Sequence, residues 1–151
     1  IGMVTEKLPK HFKMKKLGTT EMTVLCSKKS RFFKTGRIAR AEYLETPHIK
    51  ASASFEPSLL DAKFKRAGML QQTLVSVPDI AAEIALLHET DYLLVLDRYD
   101  VDLIGSKDDL RILKTDFKIP QFDLYCIWHS RKDNHPAHRW YRDYINRVAA
   151  G

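Results

Sequence analysis

The sequence predicts an α/β protein built on a mainly parallel sheet. Short apolar runs alternate with segments in which apolar residues recur every three or four positions, which is the pattern of strands alternating with helices. The links between these segments are short, so right-handed crossovers between parallel strands are expected. The 151-residue chain is 44% hydrophobic and 29% charged, which is the composition of an ordinary globular protein.

The first elements can be predicted in order along the chain. Alternating apolar and polar residues predict a strand over residues 14–28. A short helical turn over 39–44 and a strand over 48–53 follow. Pro57 suits the first turn of the next helix, and Gly68 is its natural C-terminal stop.

The remaining elements continue the alternation of strand and helix. Residues 70–77 predict a strand that Pro78 ends, and Asp79 is placed to cap the helix that follows. Tyr92 to Leu96 is an apolar run short enough to be a strand buried on both faces. We then expect a short helix over 99–104, strands over 110–113 and 122–129, and a last helix from Pro136 with Trp140, Tyr144, Ile145 and Val148 packed on one face.

The order of these elements also predicts two lobes. We expect residues 1–28 to form part of lobe one, residues 29–119 to form lobe two, and residues 120–151 to return to lobe one. The two chain crossings would then form a hinge. Small ligands commonly bind in clefts between such lobes and at the carboxyl ends of parallel strands.

Charge and cysteine usage restrict the classes of protein that the sequence can represent. The net charge of +6 permits nucleic-acid contact, but acidic stretches interrupt the basic clusters and no zinc-finger, RNP-like or helix-turn-helix pattern is evident. We therefore expect a solvated basic surface that does not read DNA bases. Cys26 and Cys126 each lie in an apolar run, which predicts buried free thiols and fits a reducing cytoplasm.

The sequence predicts no membrane contact. Its apolar runs are too short to span a bilayer, and residues 1–4 lack the basic and apolar regions of an export signal. We expect a cytoplasmic protein.

Polar residues at two strand ends indicate a ligand site. Ser52, Ser54 and Phe55 precede one helix, and Ser76, Val77 and Pro78 precede another, so backbone N–H groups at both helix starts could face an anionic or polar ligand. Simple capping by Ser54 and Asp79 would produce much of the same pattern.

A metal or catalytic site is less well supported. His129, His135 and His138 lie near Asp133, but Pro136 separates the last two histidines and no HExxH pattern is present. The sequence also lacks a Gly-x-Ser-x-Gly elbow and a glycine-rich phosphate loop. We expect structural histidines, with no metal, no cofactor and no enzyme activity.

The end of the chain carries a resemblance to a known family. Trp128-His129, Arg131-Lys132-Asp133, Pro136-Ala137-His138-Arg139-Trp140 and Arg142 together resemble the C-terminal effector-binding region of a LysR-type transcriptional regulator. The stretches 44–49 and 76–78 support this resemblance. Ile1-Gly2 resembles the tail of a family strand, so we expect the chain to begin inside lobe one.

The resemblance implies a fold, a function and a set of partners. The fold would be Rossmann-like lobes of the type II periplasmic-binding-protein kind, with one lobe complete and one partial. A small-molecule effector would bind between the lobes and control transcription, with contacts from Ser52, Ser54, Phe55, Val77 and Pro78. Self-association as a dimer or tetramer would involve residues near 14–27 and 122–148, and DNA would be bound only through a winged helix-turn-helix N-terminal to this chain.

Two alternatives remain open from the sequence. One is a transport-type solute-binding protein of the same fold. The other is a small metal-dependent hydrolase that uses the histidines of the terminal segment.

Overall fold

The computed structural model describes residues 2–3, 8–51, 59–104 and 107–149. Short 3-10 turns span Lys107–Asp109 and Ser130–Lys132. The described strands are β1 (Gly2–Met3), β2 (Phe12–Thr19), β3 (Met22–Ser27), β4 (Arg37–Ile38), β5 (Pro47–Ala51), β6 (Gln72–Val77), β7 (Leu94–Asp97), β8 (Leu110–Thr115) and β9 (Asp123–His129). The helices are α1 (Arg40–Glu45), α2 (Leu59–Arg66), α3 (Ile80–His88), α4 (Arg98–Leu103) and α5 (Pro136–Ala149).

The chain divides into two compact units. We call residues 1–20 with 121–151 the terminal unit, and residues 21–120 the central unit. In the terminal unit, the described strands form an antiparallel sheet in the order β1-β9-β2. In the central unit, the order is β4-β8-β3-β7, and β5 pairs with β6.

Strand β3 runs against both of its neighbours in the central unit. It is antiparallel to β7 and to β8, whereas β4 is parallel to β8 and β5 is parallel to β6. A parallel bridge between His48 and Leu93 also links β5 to the residue before β7. The expected mainly parallel sheet therefore contains one reversed strand.

The prediction of a single strand over residues 14–28 is wrong. The segment forms two strands, β2 and β3, separated at Thr20 and Glu21. Thr20 turns the chain because its backbone N–H donates to the Phe122 carbonyl at 2.6 Å, and its hydroxyl oxygen accepts from the Phe122 N–H at 2.8 Å. The division between units therefore falls after Thr20 and not after residue 28, since β3 pairs inside the central unit. The second division falls after Pro120, one residue beyond the expected position.

The core of the central unit lies between its sheet and helix α3. Its side chains are apolar and less than a tenth exposed, and burial of each contributes about 1.5–3 kcal/mol to stability. They are Leu25, Ile49, Leu87, Leu94, Leu96, Val101 and Leu110. Helix α2 ends as expected at Gly68, whose φ of 65° is in the left-handed region.

Helix α5 presents a different face to its unit than the sequence predicted. Trp140, Tyr144 and Val148 were expected to pack, but they are 63%, 49% and 64% exposed. The half-buried positions are His138, Arg142, Ile145 and Asn146. The Trp140 and Tyr144 rings stack on each other along the exposed side, with centroids 5.7 Å apart. No described side chain of this helix is fully buried.

Candidate functional site

The carboxyl ends of three strands meet at one edge of the central unit. Ala51 and Val77 are register partners at the ends of the parallel strands β5 and β6. The bridge between His48 of β5 and Leu93, the residue before β7, is also parallel, so β7 runs in the same direction as β5 and their carboxyl ends lie on the same side of the unit. Carboxyl ends of parallel strands are the usual ligand-binding edge of an α/β sheet. This edge is the candidate site.

Two of the residues predicted for the site lie at this edge. Val77 is half-buried: its side chain packs against the core cluster of the central unit and is also partly exposed at the edge. Pro78 is exposed and follows the last residue of β6. The other predicted contacts, Ser52, Ser54 and Phe55, lie outside the described residues.

Asp79 caps helix α3, as the sequence predicted. Its Oδ1 accepts a hydrogen bond from the Ala82 N–H at 2.9 Å, which satisfies one of the free donors of the first turn. The carboxylate also places a negative charge next to the positive end of the helix dipole. Because that end is already neutralised, an anionic ligand gains less there than the sequence pattern alone suggested.

A second carboxylate at the same edge was missed by the sequence reasoning. Asp97 ends β7 and caps α4, and its Oδ1 accepts from the Tyr99 N–H at 2.8 Å. Burial, and then the nearby charge of Asp97, raise the pKa of Asp100 above its ordinary value. The signal was available, because Asp97 directly follows the buried run that ends at Leu96. The edge is therefore acidic at both Asp79 and Asp97.

Several of the residues that carried the family resemblance form a hydrogen-bonded clamp with Lys13 in the terminal unit. Asp133 accepts from the Trp128 indole Nε1–H at 2.9 Å and from the Lys13 ammonium. Arg142 donates to the backbone carbonyls of Lys132 at 3.2 Å and of Asp133 at 2.6 Å. Lys13 first, and then Trp128, hold the pKa of the Asp133 carboxyl below its usual range. These residues hold α5 against β9.

The histidines of this segment make a hydrogen bond and ring contacts in the described structure. His129 ends β9, and its Nδ1 accepts from the Arg131 N–H at 3.1 Å. His135 and His138 approach each other edge to face, with centroids 6.3 Å apart. Within the described part of the chain, no three His, Cys, Asp or Glu side chains are grouped closely enough to hold a metal ion. No helix among those residues is long and apolar enough to cross a membrane.

Comparison with known proteins identifies the family to which this geometry corresponds. The profile described as LysR substrate binding domain matches residues 3–150. Comparison with curated protein sequences finds no significant match.

Solved structures agree on the fold. A probable transcriptional regulator from Pseudomonas aeruginosa, PA0477, has a TM-score of 0.77 at 21% identity, over 93% of this chain and 46% of that one. The regulatory domain of MexT, a transcriptional activator of the same organism, has a TM-score of 0.76 at 24% identity, over 94% and 68%. The CcmR regulatory domain of Synechocystis PCC6803 in complex with 2-PG has a TM-score of 0.75 at 14% identity, over 97% and 72%. The chain thus spans about half the length of PA0477.

Proposed function

The chain belongs to the LysR substrate-binding domain family, and on that basis we propose that it senses a small-molecule effector for a transcriptional regulator. The observation that carries the proposal is the shared edge at which β5, β6 and β7 end, with Val77 and Pro78 upon it. The effector contacts Val77 and Pro78 together with Ser52, Ser54 and Phe55. The CcmR regulatory domain, which has the same fold, was solved with the small molecule 2-PG, and this supports a small ligand.

The charges at this edge favour one class of effector chemistry. Asp79 and Asp97 both present carboxylates there, and Asp79 occupies a donor of the α3 N-terminus. A carboxylate or phosphate of the effector would be repelled by these groups. The part of the effector that faces this edge is therefore neutral and polar, or cationic.

The role is regulatory and not catalytic. A ligand controls such a protein only if it binds two arrangements with different affinities. The protein acts in the cytoplasm, and DNA recognition belongs to a winged helix-turn-helix region that precedes this segment in the whole regulator. Membership of a regulator family supports each of these statements.

Self-association is the remaining part of the proposal, and it involves the terminal unit. Among its residues of described burial, the exposed large apolar side chains lie on β2 and α5: Phe12, Met14, Trp140, Tyr141, Tyr144 and Val148. The expected contribution of residues 22–27 is withdrawn, because β3 is paired on both sides and Val24, Leu25 and Cys26 are fully buried. Sedimentation should show a concentration-dependent dimer or tetramer that Trp140→Ala weakens, and a monomer at all concentrations would contradict this part.

The effector proposal is tested by a thermal-shift screen on the longest product that the gene encodes. Compounds with neutral polar or amine groups, and carboxylates for comparison, should include at least one that raises the melting temperature. Ser54→Ala or Phe55→Ala should reduce that shift, whereas Thr35→Ala, an exposed position before β4 at the other end of the sheet from β7, should retain it. If the melting-temperature shift is unchanged in both Ser54→Ala and Phe55→Ala, the effector does not bind at this site.

A further inference from the structure

The net charge of the protein is confined to one of its two units. The terminal unit contains ten Lys and Arg residues against four Asp and Glu residues, whereas the central unit contains fifteen of each. The whole excess of +6 therefore lies on about a third of the chain. A uniformly solvated surface would not require such segregation, so the positive residues of the terminal unit deserve a specific explanation.

Several of these cations are neighbours at one end of the terminal sheet. The Ser130 N–H donates to the His11 carbonyl at 2.8 Å, and Phe12 pairs with His129 at the end of β9. The turn before β2 and the 3-10 turn after β9 therefore lie side by side. We call the cations of these two turns, together with Lys13 at the start of β2, the basic patch; its members are Lys10, Lys13, Arg131 and Lys132.

The basic patch is exposed and mostly unpaired. Lys10, Arg131 and Lys132 are exposed and have no acidic partner among the described residues. Lys13 is 51% exposed and pairs with Asp133. That carboxylate also accepts from the Trp128 indole and faces Arg142, so its charge is already balanced within the clamp.

One neighbouring feature adds to the positive potential. Helix α5 begins beside the patch at Pro136 and has no acidic residue in its first turn, so none of its own side chains in that turn offsets the positive end of the helix dipole. This helix end makes the region more attractive to anions.

We propose that the basic patch contacts the phosphate backbone of double-stranded DNA, without reading its sequence. Lysine and arginine side chains bind phosphate oxygens through charge and hydrogen bonds, and such contacts require no groove-reading element. The choice of DNA over an acidic protein rests on the proposed function, since a transcriptional regulator is held at DNA, where a weak contact gains from high local concentration. This contact is additional to the N-terminal DNA-binding region that the sequence analysis expected to be the sole link to DNA.

Fluorescence anisotropy with a labelled 20-base-pair duplex of mixed sequence tests the proposal on the 151-residue chain. With about three phosphates neutralised, the affinity should fall about 40-fold between roughly 50 and 200 mM salt. A duplex of unrelated sequence should bind equally well. A salt-independent or strongly sequence-dependent affinity would contradict backbone contact.

Charge-reversal variants locate the contact. Lys10→Glu with Arg131→Glu and Lys132→Glu should weaken DNA binding by about tenfold or more. Lys28→Glu with Lys34→Glu and Lys65→Glu changes the net charge equally on exposed positions of the central unit, and should weaken it less than about threefold. Equal losses in the two variants would overturn the proposal. If the first variant does not fold by circular dichroism, glutamine at the same positions replaces glutamate.

Two further arms separate this proposal from its alternatives. Labelled polyglutamate that binds the patch more tightly than the duplex at equal salt would identify an acidic protein as the partner and overturn the DNA contact. All measurements are made without effector. If the chain binds DNA through the patch but no compound shifts its melting temperature, the proposed function alone is contradicted. If a compound shifts the melting temperature but the chain does not bind DNA, the DNA contact alone is contradicted.

Discussion

The guanidinium of Arg142 lies 4.6 Å from the centre of the Trp128 indole ring, so that α5 is joined to β9 by a cation–π contact. The same guanidinium donates to the carbonyls of Lys132 and Asp133. Its side chain is 11% exposed, which strengthens each of these interactions relative to water. One arginine therefore holds the last helix of the chain in place.

Replacing this arginine should destabilise the terminal unit. Arg142→Ala removes the ring contact and two charge-assisted hydrogen bonds, with an expected loss of about 1–3 kcal/mol. Arg142→Lys should recover only part of it, because an ammonium lacks the planar donor fork. Urea unfolding monitored by circular dichroism measures the loss. Arg139→Ala, an exposed position on the same helix, serves as control and should change stability by less than about 0.5 kcal/mol.

His48 should make the central unit sensitive to acid. It is fully buried beside Tyr43, with ring centroids 4.6 Å apart, and burial lowers its pKa to about 4, which an interaction with the Thr46 backbone opposes only in part. The unfolded chain therefore binds a proton near pH 6.5 that the folded chain does not bind until about pH 4. The stabilising effect is complete above pH 6.5 and decreases as the pH falls towards 4, by about 3 kcal/mol in total.

Unfolding free energies measured at several pH values check this prediction. His48→Phe keeps an aromatic ring and removes the titration, so its stability should vary less between pH 6.5 and 4 than that of the unmodified chain. Identical profiles for the His48→Phe variant and the unmodified chain would show that another group causes the acid sensitivity.

The Asp79 cap allows its effects on stability and on ligand charge to be separated. Asp79→Ala removes the bond to the Ala82 N–H and should cost about 0.5–2 kcal/mol in thermal or urea unfolding. Asp79→Asn keeps a capping oxygen but removes the charge, so it should preserve stability while reducing the repulsion of the carboxylate compounds used for comparison in the screen. An asparagine variant as unstable as the alanine variant would contradict the capping role.

Cys26 should be unreactive in the folded protein. It is fully buried in β3, and burial raises the pKa of its thiol to about 11. The thiolate that attacks disulfide reagents is therefore scarce at pH 8, and access is closed as well. In a Cys126→Ser background, reaction with an aromatic disulfide reagent should occur only at the rate of unfolding, and should become fast in urea. Rapid stoichiometric reaction of the folded chain would contradict this burial.

Local patterns predicted most elements, and long-range pairing accounts for the errors. The Asp79 cap, the Gly68 stop and the buried run before Asp97 are local signals, and each lies where the sequence indicated. The alternating pattern over residues 14–28 gave no sign of the boundary between the two units after Thr20. The turn there depends on a hydrogen bond to Phe122, which lies 102 positions away. The reversed direction of β3 is likewise set by its partners β7 and β8.

The faces of α5 show the same limit for packing. Spacing grouped Trp140, Tyr144, Ile145 and Val148 on one apolar face, and hydrophobicity suggested that this face turns inward. Of these four residues only Ile145 is half-buried. The structure instead turns Arg142 inward, since its guanidinium satisfies two carbonyls and covers an indole ring. Amphipathic spacing cannot reveal that an arginine replaces an apolar residue as the anchor.

The terminal unit is made of two segments that flank the central unit in sequence, and this arrangement predicts an order of folding. Residues 21–120 are continuous, so the central unit can assemble without either end of the chain. The pairing of β2 with β9 joins segments that are more than a hundred residues apart, and closing such a loop in an unfolded chain is entropically costly. A folded central unit shortens that loop, because its first and last residues are then held by its own structure. We expect β2 and β9 to pair last and to separate first.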